Sequence, residues 1–421
     1  MKFIKERGDK VEQSIHRNQS LLFNNDIVDQ PLRYSVNDRI IFLLYTLYFI
    51  LCPFYFWNSG LPQIADFTMM ILFFSLLIFH QGYYQIINKK ILFIGLLFVT
   101  YTVLVNFVWT TLLPSSAILI MPSVFNIYNY LILFFVSTLI GKYKEKVYYL
   151  TFNAALLSVI LQLLIFVFTG GFNSGRALGS FNNPNQLGYY SLLIASLVLF
   201  TSAKINVKIR WVIIGVLSGL ILVSASLSKA SILSYIGLII FFLFSKQKSK
   251  ASKRKLLLSV LGVMLVLFIF NSSTSFISNS SLINSVQMRL ENIGSDADDS
   301  LTGRGYNRIF DYPEYWIFGA GEGEYSRFDA TVEFHSTLGN IQVSYGVIGF
   351  TLFLLLVVIS LKRDKFRSSY IIFFVFLYGV THNGIRNSLF WILLALISSV
   401  NESDSKPIKG KKVKSKLRGN L

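Results

Sequence analysis

The sequence predicts an all-α polytopic membrane protein with about twelve transmembrane helices and one large outer loop. Of its 421 residues, 53% are hydrophobic and only 14% are charged, whereas a soluble protein carries about 25% charged residues. The apolar residues occur in long runs, and a helix that crosses a bilayer needs about 20 of them. The basic residues, which give a net charge of +18, cluster between the apolar runs and indicate topology rather than nucleic-acid binding.

Twelve apolar segments are candidate spans, and no internal repeat relates them. Three fit the length and polarity criteria least well: 186–203, 369–382 and 385–400. The last two are short enough to form a bent or re-entrant pair. The predicted spans are 40–57, 62–80, 91–113, 118–140, 147–169, 186–203, 210–227, 229–245, 256–272, 339–361, 369–382 and 385–400.

The basic residues define the expected topology. With a cytoplasmic N-terminus, the segments between spans that face inward hold all but seven of the 39 Lys and Arg residues. This is the positive-inside bias, and an odd number of spans would destroy it. We therefore expect both termini in the cytoplasm and the inner clusters to anchor the protein at anionic lipid. The domains are the tail 1–39, spans 40–272, the outer loop 273–338, spans 339–400 and the basic tail 401–421.

The seven outer cations are candidates for binding, because insertion disfavours basic residues on that side. They are Arg176, Lys229, Arg289, Arg304, Arg308, Arg327 and Arg386. Most fall in the loop 170–186, the turn 224–229 or the loop 273–338, which also carries ten carboxylates. A loop of that length is usually functional or disordered. Its aromatic second half predicts short ordered helices. The single cysteine, Cys52, excludes an intrachain disulfide and a cysteine metal cluster.

The motif from Gly175 to Gln186 leads from a polar loop into a helix. Asn182 or Asn183 can cap the helix, and Pro184 lies near its start, so the motif suits an ordinary helix start. Alternatively, Arg176 and the helix N-terminus together bind an anion such as pyrophosphate, with Asn183 and Asn185 as further binding residues. Lys229, in the next polar turn, either extends to the interface or has a functional partner.

The large loop contains Thr302-Gly303-Arg304-Gly305, followed by Arg308, Trp316, Gly319 and Gly321. Arginines beside glycines allow the backbone to approach a phosphate or sugar closely, although an ordinary surface loop would have the same composition. Asp296, Asp298 and Asp299 form an acidic run in the same loop. We interpret the run as a solvated surface rather than a metal site.

The most specific motif is His335-Ser336, nine residues, Gly346, two residues, Gly349. His335 either caps the following helix or acts as a general base, since histidine titrates near neutral pH. Gly339 and the other two glycines are spaced to lie near one helix face, where a helix or lipid tail could approach. The turn containing His382 and Arg386 is expected to close the same cavity.

The His-Ser…Gly…Gly pattern resembles the signature of the O-antigen ligase/polymerase superfamily. The resemblance includes Asn183-Pro184-Asn185, the turn Ser226–Lys229, Arg304 before Trp316, and the pair Gly319 and Gly321. It covers about 170–350, and the remainder is similar only in topology. Where that family usually has arginine in the turn, this chain has Lys229, which keeps the charge but loses bidentate geometry.

The resemblance implies metal-independent, inverting glycosyl transfer from an undecaprenyl-pyrophosphate-linked glycan at the outer face of the bacterial inner membrane, with no cofactor. His335 would act as the base, and Arg304 would be the second catalytic residue. Arg304, Arg176, Lys229 and Arg308 would hold the diphosphate. A chain-length regulator and a flippase are possible partners. The leading prediction is a polymerase of lipid-linked repeat units. The alternatives are an O-antigen ligase, which transfers the finished glycan to lipid A core or another acceptor, and a lipid-linked oligosaccharide flippase.

Overall fold

A computed structural model describes residues 34–79, 88–113, 119–169, 176–245, 251, 254–258, 260–261, 302–328 and 334–400. All regular secondary structure in these residues is helical, as predicted. The chain divides into two compact units, Met1–Phe42 and Leu43–Leu421. In the first, Ser35 and Asp38 form a reciprocal cap, each side chain accepting the other's backbone amide. The packing described below lies within the second unit.

Eleven helices of more than two turns run through the described residues, and each overlaps one predicted span. Their bounds are α1 Val36–Leu51, α2 Ile64–Phe79, α3 Lys89–Leu112, α4 Ile120–Tyr143, α5 Glu145–Phe168, α6 Pro184–Lys204, α7 Ile209–Ala225, α8 Lys229–Phe244, α9 Thr337–Arg363, α10 Ser369–Gly379 and α11 Ser388–Ser398. The other predicted span, 256–272, lies largely outside the described residues.

Five of the described helices, α3 to α6 and α9, are long and apolar enough to cross a membrane. The remaining helices have 11 to 17 residues. Large apolar side chains are exposed along α3, including Leu104, Phe107 and Leu112, as a lipid environment permits. The apolar helices therefore indicate a membrane-embedded protein.

Helices α6 and α11 lie at the centre of the packing. Every residue of α11 is buried, as is α6 from Leu187 to Ser202. Helix α6 packs against α5, α7, α8 and α11. Its serines donate within the helix, for example Ser191 Oγ to the Leu187 carbonyl oxygen at 2.8 Å. The modest hydropathy of 186–203 therefore reflects burial in protein, where hydroxyl groups find partners that lipid does not offer.

Two groups of connecting segments lie at opposite ends of α6 and α9. At the N-terminal end of α6, Ser180 Oγ donates to the Pro53 carbonyl oxygen at 2.6 Å. At its C-terminal end, Lys204 forms an ion pair with the buried Asp364, which follows α9, at 2.5 Å. This separation agrees with the division into inner and outer segments expected from the charges.

Helix α9 is interrupted at Gly346, which has φ 63° and ψ −171°. The segment 316–321 runs beside this break and supplies the missing backbone partners. The amide of Gly321 donates to the Ser344 carbonyl at 2.8 Å, and the amide of Val347 donates to the Trp316 carbonyl at 2.7 Å. A Cβ on Gly346 would lie 2.2 Å from the Ile317 carbonyl oxygen. Gly346 was expected to lie on a helix face that another helix or a lipid tail approaches. Instead it breaks the helix, and the backbone of segment 316–321 packs against it.

Candidate functional site

The loop carrying Arg176 lies against the turn that precedes α8. The amide of Ala177 donates to the Ala225 carbonyl at 3.0 Å. The exposed Arg176 side chain donates from Nε to the Ser226 carbonyl at 3.3 Å, and from Nη2 to Asn185 Oδ1 at 3.1 Å. Lys229 begins α8 three residues after Ser226 and is half-buried. The fold therefore brings together the first two motifs identified in the sequence.

Helix α6 begins with an ordinary cap at Asn183, one of the two candidate caps, Asn182 and Asn183. Asn183 Oδ1 accepts the Asn185 backbone amide at 2.8 Å, and Pro184 is the first helical residue. Gly188, one turn later, lies against the first turn of α8, since a Cβ on Gly188 would be 2.6 Å from Ser231 Oγ. The cap uses the backbone amide of Asn185, whereas Asn185 Oδ1 accepts from Arg176. An ordinary helix start and a cation beside it are therefore both present.

Tyr378 connects this first cluster to His382. Its hydroxyl donates to the Asn185 carbonyl oxygen at 3.3 Å. Its ring stacks on His382, with ring centroids 4.7 Å apart and an interplanar angle of 11°, and on Tyr189, at 4.2 Å and 10°. The end of α10 and the turn after it therefore lie beside the start of α6.

Arg304 and His335 lie on the other side of the His382 turn. Arg304 Nη1 donates to the Thr381 carbonyl oxygen at 2.5 Å, and Thr381 Oγ1 is 2.9 Å from His382 Nδ1. The His335 backbone amide donates to the Arg304 carbonyl at 3.3 Å. Both side chains are half-buried. The candidate base and the candidate catalytic arginine thus occupy adjacent backbone positions, although 31 residues separate them in the chain.

Ser336, rather than His335, caps α9. Its Oγ accepts the Gly339 amide at 3.1 Å and lies 2.8 Å from the Tyr306 hydroxyl oxygen. The Tyr306 hydroxyl donates to the Val380 carbonyl at 2.5 Å, which joins the large loop to the turn after α10. Ser336 therefore supplies the cap that was one of the two roles considered for His335.

Arg308 and Trp316 contact other residues of the large outer loop and its end. Arg308 is only 7% exposed, and its guanidinium lies 5.9 Å from the centre of the Phe334 ring. Burial lowers its pKa, while the nearby Tyr325 and Tyr312 act in the opposite direction. Trp316 is 45% exposed, and its indole donates to the Ile309 carbonyl. Both side chains are engaged in the folded loop, around an aromatic cluster that includes Phe328 and Phe334.

Gly319 and Gly321 shape the backbone of the same loop. Both have positive φ, 84° and 73°. A Cβ on Gly319 would lie 2.4 Å from the Ser344 carbonyl oxygen, and the Gly319 carbonyl accepts the Trp109 indole at 3.0 Å. Their role in the structure is close backbone approach to α9 and α3.

Glu322, which immediately follows this pair, is a buried carboxylate that the sequence did not single out. It is 1% exposed. Its Oε1 accepts from Arg386 Nη2 at 2.6 Å, Arg386 Nε at 3.0 Å and Asn340 Nδ2 at 2.8 Å. Its Oε2 accepts the Tyr345 hydroxyl at 2.8 Å, and its amide donates to Asn106 Oδ1 at 2.8 Å. Arg386, a candidate binding residue, is therefore paired with a carboxylate.

Glu322 is ionised at neutral pH. Burial alone would raise the pKa of its carboxyl group, but the positive charge of Arg386 and hydrogen bonds from Tyr345, Arg386 and Asn340 outweigh burial and lower it. In the sequence, Glu322 is one of ten carboxylates in a long loop, and nothing in its neighbourhood distinguishes it. A sequence signal was present only in the residues that contact Glu322. Asn106 and Asn340 are polar residues within predicted spans, where polar side chains are usually functional or paired.

The arrangement combines cations, amides and a histidine within one connected region, which suits an anionic ligand and proton transfer. Within the described ranges, no three His, Cys, Asp or Glu side chains are grouped to hold a metal ion, and the acidic run at 296–299 lies outside those ranges. The chain matches no protein-family model and no curated protein.

Proposed function

We propose that this protein is a membrane glycosyltransferase that polymerises undecaprenyl-pyrophosphate-linked oligosaccharide repeat units during surface polysaccharide assembly. One observation carries the proposal: three polar segments far apart in the chain form a continuous network. Hydrogen bonds and one ring stack lead from Arg176 through Asn185, Tyr378 and His382 to Arg304. The resemblance of the motifs supplies the substrate class.

In the proposed reaction, Arg176, Lys229 and Arg304 bind the diphosphate of the donor. The acceptor hydroxyl attacks the anomeric carbon, the new glycosidic bond forms, and the carbon–oxygen bond to the diphosphate breaks. His335 removes the proton of the attacking hydroxyl. The arginines stabilise the charge that grows on the leaving diphosphate, where charge-assisted hydrogen bonds are strongest. The products are the extended glycan and undecaprenyl diphosphate.

The expected location is the outer face of the bacterial plasma membrane. The network lies at the N-terminal ends of α6 and α9, opposite the Lys204–Asp364 pair. The positive-inside bias of the sequence is the reason to expect that end on the outside. There the polyprenyl tail of the donor remains in the bilayer while its diphosphate and sugars reach the polar network.

Complementation of a deletion strain tests His335. We expect His335→Ala to be made and inserted normally but to abolish long-chain surface glycan on a gel. Glu314→Ala is the control, because Glu314 is exposed in the same loop and outside the network. If membrane levels of the two variants match and His335→Ala still makes normal glycan, His335 is not the base.

Reconstitution with purified lipid-linked repeats separates the candidate reactions. A polymerase produces a ladder of lengthened products from the repeats alone. A ligase produces nothing until a second acceptor, such as lipid A core, is supplied. Movement of intact repeats across the vesicle membrane without any glycosidic bond formation would indicate a flippase, and would overturn the enzyme proposal.

A further inference from the structure

The buried Glu322 lies where the large loop, α9 and the turn after α10 meet. Its carboxylate accepts from Asn340 and Tyr345, on α9 before the Gly346 break, and from Arg386 in the turn. Asn383 Nδ2 lies at the limit of hydrogen bonding, 3.5 Å from Oε1. One carboxylate thus contacts two elements that also carry the proposed site.

The same elements position Arg304 and His335. The His382 carbonyl accepts the Thr337 hydroxyl at 3.0 Å, and Thr337 Oγ1 accepts the Gly384 amide at 2.8 Å. These bonds join the first turn of α9, directly after His335, to the turn containing His382. Arg304 donates to Thr381 at the start of that turn. A shift of the turn relative to α9 would therefore move Arg304 and His335 relative to each other.

We propose that Glu322 is a positioning residue, whose pairing with Arg386 holds the His382 turn against α9 so that Arg304 and His335 keep their mutual placement. This role rests on the proposed glycosyl transfer. A buried ion pair is weak evidence for stability, because desolvation offsets much of its attraction. The ion pair can instead serve to fix the positions of Arg304 and His335, since displacement of catalytic groups by about 1 Å can lower a rate about a hundredfold.

The chain contains a matched control for a buried ion pair. Asp364 has a side-chain exposure of 1% and pairs with Lys204 at 2.5 Å, whereas Glu322 has 2% and pairs with Arg386 at 2.6 Å. Asp364 directly follows α9, whereas Glu322 accepts hydrogen bonds from Asn340 and Tyr345 in the first half of α9, so the two carboxylates lie at opposite ends of that helix. Glu322→Gln and Asp364→Asn therefore remove equivalent charges, and only the first is next to the proposed site.

The experiment compares full-length variants in the reconstituted assay, with rates divided by the folded, monodisperse fraction. We expect Glu322→Gln to lower kcat by at least about tenfold with KM for the lipid-linked repeat changed less than about twofold. Glu322→Asp should recover part of the loss, because it restores the negative charge. Asp364→Asn should keep kcat within about twofold of wild type. Equal effects of Glu322→Gln and Asp364→Asn on kcat would overturn the positioning role.

Hydrogen exchange gives a readout that does not depend on glycosyl transfer. Amides in 334–347 and 380–387 should exchange faster in Glu322→Gln than in Asp364→Asn or wild type. Should Glu322→Gln not fold, Arg386→Met removes the other partner and is compared in the same way. If the wild type shows no transferase activity but Glu322→Gln exchanges faster, the proposed reaction is refuted while the structural coupling stands. Unchanged exchange in both segments would refute the coupling itself.

Discussion

Arg176 and Arg386 are both outer cations by sequence, yet their guanidinium groups have different partners. Arg176 is exposed and donates to a backbone carbonyl oxygen and to a side-chain amide oxygen. Arg386 donates twice to the buried carboxylate of Glu322. At the scale of single residues, the first suits an anionic substrate, and the second suits the internal positioning of the site.

Acid should weaken the structure around Glu322. Its pKa in the folded protein is lowered, because Arg386 and hydrogen bonds from Tyr345 and Asn340 outweigh burial. The resulting stabilisation is complete above the unfolded value of about 4.3 and is lost as the pH falls through the still lower folded pKa. We expect the melting temperature in detergent to be insensitive to this group near neutral pH and to decrease at pH values below about 4.

Glu322→Gln isolates this contribution from the other carboxylates of the chain. The variant lacks the titrating group, so its melting temperature should depend less steeply on pH in the acidic range. It should also melt below wild type at neutral pH, because Arg386 remains without its carboxylate. Parallel pH curves for the variant and wild type would contradict the assignment of this titration to Glu322.

The interruption of α9 is the feature that matters at the scale of secondary-structure elements. Segment 316–321 enters the break, and its carbonyl and amide groups replace part of the helical hydrogen bonding. The Tyr101 hydroxyl and the Trp109 indole, both from α3, bind the carbonyls of Phe318 and Gly319 at 2.9 and 3.0 Å. Irregular backbone at this depth requires such partners, because lipid cannot supply them.

Gly346→Ala should destabilise the protein more than an ordinary substitution of a glycine with positive φ. Backbone strain at such a position costs about 1–3 kcal/mol. At Gly346 the new Cβ would also lie 2.2 Å from the Ile317 carbonyl oxygen, so segment 316–321 must shift. The measurement is thermal unfolding in detergent.

Gly60→Ala provides the matched control. Gly60 has φ +91°, but a Cβ there would meet nothing within 4 Å. The strain is shared by both substitutions, whereas the collision occurs only at Gly346. Gly346→Ala should therefore lower the melting temperature further than Gly60→Ala. Equal decreases would show that the loop does not depend on this close approach.

At the scale of the whole molecule, the charges and the contacts give the same division of segments. Predicted inner segments 204–210 and 362–368 meet through Lys204 and Asp364. Predicted outer segments meet through Arg176, Arg304 and His382. Since anionic lipid retains basic loops in the cytoplasm, the two groups should face opposite compartments.

Single-cysteine labelling tests this orientation. Cys52, the one natural cysteine, is first replaced by alanine, and Glu314→Cys or Lys208→Cys is then introduced at an exposed position. A membrane-impermeant maleimide should label Glu314→Cys in intact cells and Lys208→Cys only after permeabilisation. Labelling of Lys208→Cys in intact cells would reverse or refute the predicted topology.

Local patterns in the sequence were sufficient to predict several features. Apolar runs predicted a helix at each described span, because backbone groups in lipid must be satisfied within the segment. The pair Asn182 and Asn183 beside Pro184 predicted the start of α6, since a cap depends on residues two or three positions apart. The charged and polar motifs gave Arg176, Arg304 and His335 as candidate site residues, and these stay predictions.

The sequence by itself determined the helical, membrane-like class of this protein and the local starts of its helices, because hydrophobic length and capping depend on neighbouring residues. Only the tertiary structure decided that Gly346 admits a loop and that Glu322 pairs with Arg386. These features depend on contacts between residues as far as 64 positions apart. Their energies arise from burial and hydrogen-bond geometry, which the fold creates and a linear pattern does not contain.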